Sequence, residues 1–183
     1  MQKYYINRED ALLLVIDIQE KLLPVISNGE SVIQKNNILI STANLLNIPV
    51  VYTEHYAKGM GPTAEELKQN LSNAVKFDKI AFSACLEDGF LKYINETNRK
   101  KIIVTGTEAH VCVFQTIRDL LNRGYTVFVP IDAVGSRQDE IKNNALLLLK
   151  DMGAIISNTE LIAFDLVKIS GTPEFKEVLK LIK

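Results

Sequence analysis

Three side chains in this sequence could act together as a nucleophilic catalyst: Asp17 in "LLLVIDIQ", Lys79 in "KFDKIAFSA" and Cys112 in "GTEAHVCV". Taken singly, each has a plain structural reading. An aspartate ending an apolar run caps a following helix, a lysine in a polar stretch is solvated, and a cysteine packs as a small hydrophobe. Taken together, they complete a reaction. A free thiol with a pKa of about 8.5 is only a few per cent ionised at neutral pH. A carboxylate at the rim of a dry sheet can accept its proton and later return it. The carboxylate's charge opposes the resulting thiolate, and a lysine close to both offsets that repulsion, each pKa unit being worth about 1.4 kcal/mol. The helical pattern starting near Cys112 adds a positive dipole end and unpaired N–H groups, which could hold the oxyanion formed when sulfur attacks a carbonyl.

For this chemistry to occur, the fold must bring three distant positions to one edge. Short apolar runs alternate with helical patterns along the whole chain. Ala11–Ile16 is continuously apolar, as expected of a parallel strand covered on both faces, and Pro49–Thr53, Lys101–Thr105, Tyr125–Val129 and Ala154–Ser157 read the same way. A shorter strand is expected around Ile80 to Ser83. Ile141, Ala145, Leu148 and Met152 keep helical spacing after Ser136 and Asp139, which stand at capping-box distance. Thr63 and Glu66 offer a similar start after Pro62. In the last helix Thr172 can cap, Pro173 suits the first turn, and Phe175, Val178, Leu179 and Ile182 form one stripe. The alternation predicts one α/β domain over residues 1–183, a doubly wound, Rossmann-like sheet with helices on both faces. Ligands of such folds bind beyond the carboxyl ends of the strands, which singles out Asp17, Lys79 and the loop from Thr105 to Cys112.

Composition narrows the partners. The formal net charge is -1 with both signs interspersed, so there is no basic stripe for nucleic acid and no polybasic face for a membrane. The apolar runs are too short to span a bilayer. "MQKYYINRED" lacks the pattern of a signal peptide, and two cysteines without export fit free thiols in a reducing cytoplasm. "GMGPTAEE" lacks the third glycine of a dinucleotide fingerprint, and neither a Walker motif nor a G-x-S-x-G elbow occurs. Cys85 reads as a core residue, or alternatively as a resolving thiol for Cys112. Arg118, Asp119 and Arg123 read as the solvated face of the helix after Cys112.

In order along the chain, "VIDIQ", the lysine of "KIAFS" and "GTEAHVCV" resemble the Asp, Lys and Cys motifs of the isochorismatase-like cysteine hydrolases. The similarity runs from about residue 9 to the C-terminus, and "YTEHYAKGMGPTAEEL" and "PEFKEVLKLIK" resemble the isochorismatase-domain-containing hydrolases in particular. The resemblance implies a three-layer α/β/α sandwich around a six-stranded parallel sheet. It implies Asp17 as base, Lys79 as supporting cation, Cys112 as nucleophile and an oxyanion hole from the backbone N–H groups of Glu108 and Cys112. It also implies a cis peptide between Thr107 and Glu108, and a homo-oligomer.

The departures are as informative. Nicotinamidases of the superfamily carry an aspartate and histidines after the second strand, whereas "TEHYAKG" holds only His55 and the chain has one other histidine, His110. A mixed site from His55, Cys85, His110 and Cys112 lacks any standard zinc spacing, so no metal and no other cofactor is expected. The expected activity is hydrolysis of a small carbonyl compound at a C–N bond through a thioester, with Ile18, His55, Tyr56 and Phe82 approaching the pocket. The competing expectation is a non-enzymatic α/β module, acting as a thiol redox sensor or binding a metabolite.

Overall fold

A computed structural model describes residues Met1–Lys183. The first strand, β1 (Ala11–Ile16), shows why the sheet lies at the centre: all six residues are buried, so both of its faces are covered. It pairs in parallel with β2 (Val50–His55) on one side and β4 (Lys101–Thr107) on the other. Adding β3 (Val75–Lys79), β5 (Thr126–Pro130) and β7 (Ile155–Ser157) gives the order β3-β2-β1-β4-β5-β7, all pairs parallel. A two-residue strand, β6 (Val134–Gly135), pairs with the end of β4.

The strand order reverses between β1 and β4, so this is the switch point of a doubly wound fold. Helices α1 (Gly29–Leu45), α7 (Thr159–Val167) and α8 (Pro173–Ile182), with the short α3 (Glu65–Lys68), cover one flank, and the short α2 (Ala57–Met60) follows β2. Helices α4 (Phe90–Glu96), α5 (Cys112–Asn122) and α6 (Asp139–Asp151) cover the other. Two apolar clusters result, one on each side of the sheet. Leu13, Val15 and Ile18 belong to the first, and Leu12, Leu14, Ile16, Cys85 and Cys112 belong to the second.

Several expected elements shift. The third strand is Val75–Lys79, whereas Ile80 lies beyond it, 70% exposed. The reason is its edge position: its residues alternate inward and outward, so a search for a continuous apolar run misses it. In α6 the buried residues are Ala145, Leu146 and Leu149, while Leu148 and Met152 are exposed, so the true stripe is turned from the expected one. Gln138 occupies the N-cap position of that helix without a side-chain capping bond, and Ser136 instead contacts His110. Thr63 likewise does not cap α3, because its N–H and hydroxyl both donate to Glu54. Thr172 does cap α8, accepting from the Phe175 N–H at 3.1 Å with Pro173 in the first turn.

Candidate active site

Asp17 is the first residue past β1 and adopts φ 49°, a left-handed conformation that aspartate tolerates better than most residues. It is held there from three sides. Its N–H donates to Thr53 O at 3.2 Å, its carbonyl accepts from Thr107 Oγ1 at 2.5 Å, and Oδ1 accepts from Thr53 Oγ1 at 2.7 Å. Gly106, opposite Ile16 in the β1–β4 register, has φ 115°, and a Cβ there would collide with the Ile16 carbonyl. Glycine is therefore required where these two strands deliver Asp17 and the Cys112 loop to the same place.

Lys79 ends β3, opposite His55 of β2. Its ammonium lies 2.7 Å from Asp17 Oδ2, and both side chains are fully shielded from solvent. Oδ2 has no hydrogen bond of good geometry beyond this ion pair, so it retains capacity to accept a proton. Lys79 Nζ also donates to Ala81 O at 3.2 Å and approaches His55 Nδ1 at 3.5 Å. Burial first, and the Lys79 charge second, lower the His55 pKa, which favours its neutral ring. His55 is itself anchored through its main chain: Gln19 Oε1 accepts its N–H at 2.8 Å and Gln19 Nε2 donates to its carbonyl at 3.1 Å.

Cys112 is the first residue of α5 and 7% exposed. Burial, and next the Asp17 carboxylate, push its thiol up to about 12, against the pull of Lys79. The thiol thus faces both charges, but Lys79 does not lower its pKa overall. At rest it is protonated, and sulfur becomes nucleophilic only as its proton leaves. The peptide between Thr107 and Glu108 is cis. The Glu108 N–H makes no hydrogen bond within the protein, and the Cys112 N–H is one of the first-turn donors a helix cannot satisfy internally. An outer cluster braces this loop: Arg137 Nε lies 2.7 Å from Glu108 Oε1, Arg137 approaches His110 Nε2 at 3.4 Å, and His110 Nδ1 lies 3.1 Å from Ser136 Oγ.

The four expected pocket residues separate. His55 and Phe82 meet with ring centroids 5.6 Å apart, beside Lys79. Tyr56 lines a cavity of about 560 Å³ that reaches Lys79 between β2 and β3. Ile18 does not belong with them. It is 1% exposed and packs in the apolar cluster on the opposite side of the sheet from Cys112, because the left-handed turn at Asp17 breaks the alternation that would have placed it on the Ile16 face. Thr53 and Gln19 were not singled out in the sequence, and Thr107 only for its peptide bond to Glu108; the polar residues Thr105 and Thr107 interrupting an apolar strand end were the available signal for its side chain. Asp119 also departs from expectation, since it accepts from Ser83 Oγ at 2.6 Å instead of facing only solvent. No group of three or more His, Cys, Asp or Glu side chains is gathered as a metal centre.

Asp17 and Cys112 thus follow the two strands that flank the switch point of a doubly wound α/β sheet, and Lys79 reaches Asp17 from the end of β3. Residues 11–160 match the Isochorismatase domain family, and the chain belongs to that family of hydrolases. It is 40% identical over 177 residues to the secreted isochorismatase effector Isc1 of Phytophthora sojae, covering 94% of this chain and 84% of that protein. It resembles the structure of MAR1 ribonuclease from Caenorhabditis elegans with a TM-score of 0.91 and 40% identity, over 97% of this chain and 92% of that one. It also resembles YcaC from Pseudomonas aeruginosa, solved with hexane-2,5-diol and covalent acrylamide, with a TM-score of 0.89 and 26% identity, over 97% and 91% of the two chains. No helix is long and apolar enough to cross a membrane.

Proposed function

We propose that the protein hydrolyses a small amide with Cys112 as nucleophile, Asp17 as proton carrier and Lys79 as the cation that pairs with Asp17 and holds it in place. The observation that carries this reading is the 2.7 Å Lys79–Asp17 ion pair, wholly buried beside the Cys112 thiol. A buried charge pair of this kind contributes little net stability, so its presence at the ligand-binding edge of the sheet has a chemical use as its simplest explanation.

The reaction begins with Asp17 Oδ2 taking the thiol proton as Sγ attacks the carbonyl carbon. The oxyanion accepts hydrogen bonds from the Glu108 and Cys112 amides. Collapse of the tetrahedral intermediate breaks the C–N bond, and Asp17 passes its proton to the departing amine. A water then attacks the thioester, giving its proton to Asp17. Release of the acid returns that proton to sulfur. Proton transfer in step with attack suits a thiol whose burial keeps it protonated at rest. The covalent acrylamide of the P. aeruginosa neighbour supports a nucleophile in a protein of this fold.

The chain acts as a homo-oligomer on this reading. Tyr56, Ile80, Phe82 and Leu86 are each at least half exposed around the site, apolar surface that a second copy would cover. A free-thiol cytoplasmic setting fits the two unpaired cysteines.

Phosphodiester hydrolysis is a second reading, favoured by the ribonuclease description of the C. elegans neighbour. Against it stand the net charge of -1 and a buried lysine whose charge Asp17 already balances. A parallel screen decides: small aliphatic and aromatic amides followed by ammonia release, and single-stranded RNA followed by chain length. Ammonia release that Cys112→Ala abolishes supports the amidase. RNA cleavage that survives Cys112→Ala, without any amide turnover, overturns it.

A further inference from the structure

The larger cavity of the molecule lies away from this chemistry. It occupies about 850 Å³ at the β7 edge of the sheet, opposite the edge formed by β3, and is within the usual range for small-molecule sites. Phe128 of β5, Leu146 of α6 and Ile155 of β7 supply its apolar lining. Two features mark it as more than a gap between elements.

The first is Ser157, the last residue of β7, which lines the cavity while only 8% exposed. Its hydroxyl is buried with no hydrogen-bond partner, although a buried polar group ordinarily has one. The second is charge. Lys3 and Lys150 line the cavity, no acidic residue does, and neither lysine takes part in an ion pair. Lys3 meets only the Tyr4 ring, at 5.2 Å. Lys150 stands near the turn that enters β7, while Ser157 ends that strand. At about 3.3 Å per residue the strand separates its two ends by roughly 7 Å.

We infer that this cavity binds a medium-chain aliphatic carboxylate bearing a hydroxyl or carbonyl group near its far end. The carboxylate pairs with Lys150 and Lys3, the chain lies over Phe128, Leu146 and Ile155, and the distal oxygen meets the Ser157 hydroxyl. The site is independent of the Cys112 chemistry and stands or falls apart from it.

Isothermal titration of the wild-type protein with decanoate, 10-hydroxydecanoate and decyltrimethylammonium tests the assignment. Both carboxylates should bind, one per chain, and the cation of matching tail should bind at least about tenfold more weakly. The hydroxy acid should bind about fivefold more tightly than decanoate, and Ser157→Ala should abolish that preference without weakening decanoate. Lys150→Glu should weaken both carboxylates and leave the tail-matched cation unaffected or improved. Equal binding of cation and carboxylate, or a hydroxy-acid preference that survives Ser157→Ala, would overturn the inference. So would a wild-type protein that ignores all three compounds while Leu147→Asp lowers its mass by light scattering. That outcome would assign the groove to a second copy of the chain.

Discussion

The two cysteines are buried almost equally, 7% exposed for Cys112 and 4% for Cys85, and both sit at the start of a helical turn on the same side of the sheet. Burial pushes both thiols up, to about 12 and about 11 respectively. Their neighbours differ. Cys85 touches the Thr116 carbonyl through Sγ at 3.9 Å, and Ser83 and Thr116 occupy the polar groups around it. Cys112 faces a carboxylate with an accepting oxygen, a buried ammonium and unengaged amides. Burial alone therefore does not separate a reactive thiol from a packed one. On the proposed mechanism, what separates them is whether a base stands ready to take the proton during attack, and whether donors await the oxygen that becomes charged.

The sharpest break of this comparison is removal of each sulfur. Cys112→Ala should lower kcat/KM by about ten-thousandfold or more, while Cys85→Ala should stay within about threefold and show only a packing loss in urea unfolding. A comparable loss from both substitutions would erase the distinction.

Next in size is the charge pair. Asp17→Asn keeps a residue that tolerates the left-handed φ but removes the proton carrier, so turnover should fall by about a thousandfold. It also leaves the Lys79 ammonium buried and unpaired, costing about 3 kcal/mol in urea unfolding. Lys79→Met should destabilise comparably by stranding the carboxylate. The double variant Asp17→Asn/Lys79→Met should recover much of the stability and none of the activity. Failure of that recovery would mean that the pair is not the coupled unit described.

Labelling with iodoacetamide sharpens the contrast further. If thiolate fraction alone governed the rate, both thiols, pushed up by burial, would be labelled slowly and at similar rates. With Asp17 assisting, Cys112 should instead be labelled about tenfold faster at neutral pH, and Asp17→Asn should remove that advantage. Peptide mapping after a short pulse reads both rates.

The smallest effect concerns stability at high pH. Both thiols have folded pKa values above their ordinary value of 9.0, so the folded state holds these protons more tightly than the unfolded one. Their contribution is complete below about pH 9 and is lost as pH rises toward 11 and 12. Replacing either cysteine with alanine should flatten that decline in pH-dependent urea melts. A decline that steepens instead would contradict the direction of these shifts.

Much of this molecule was legible from local sequence. Ala11–Ile16 is apolar without interruption because both faces of a central parallel strand are covered, and the residue that ends such a run must lie at the ligand-binding edge. Asp17, and the loop after β4 that carries Cys112, were singled out in this way, and Thr172–Pro173 marked the start of α8 because capping depends on a few consecutive residues. Other features depend on residues remote in the chain. That Val75–Lys79 is an edge strand, and so alternates, follows from β2 having no other neighbour on that side. The stripe of α6 follows from the rotation at which it meets the sheet, and the direction of Ile18 from the turn at Asp17. The partners of Asp17 come from Thr53, Lys79 and Thr107, contributed by three different strands. Local sequence determined which residues could do chemistry and at which strand ends they stand, because short-range patterns encode strands, caps and breaks. Tertiary structure alone decided which charges meet, which thiol gains a base and which apolar face is left uncovered, because those are set by contacts between segments that no short window contains.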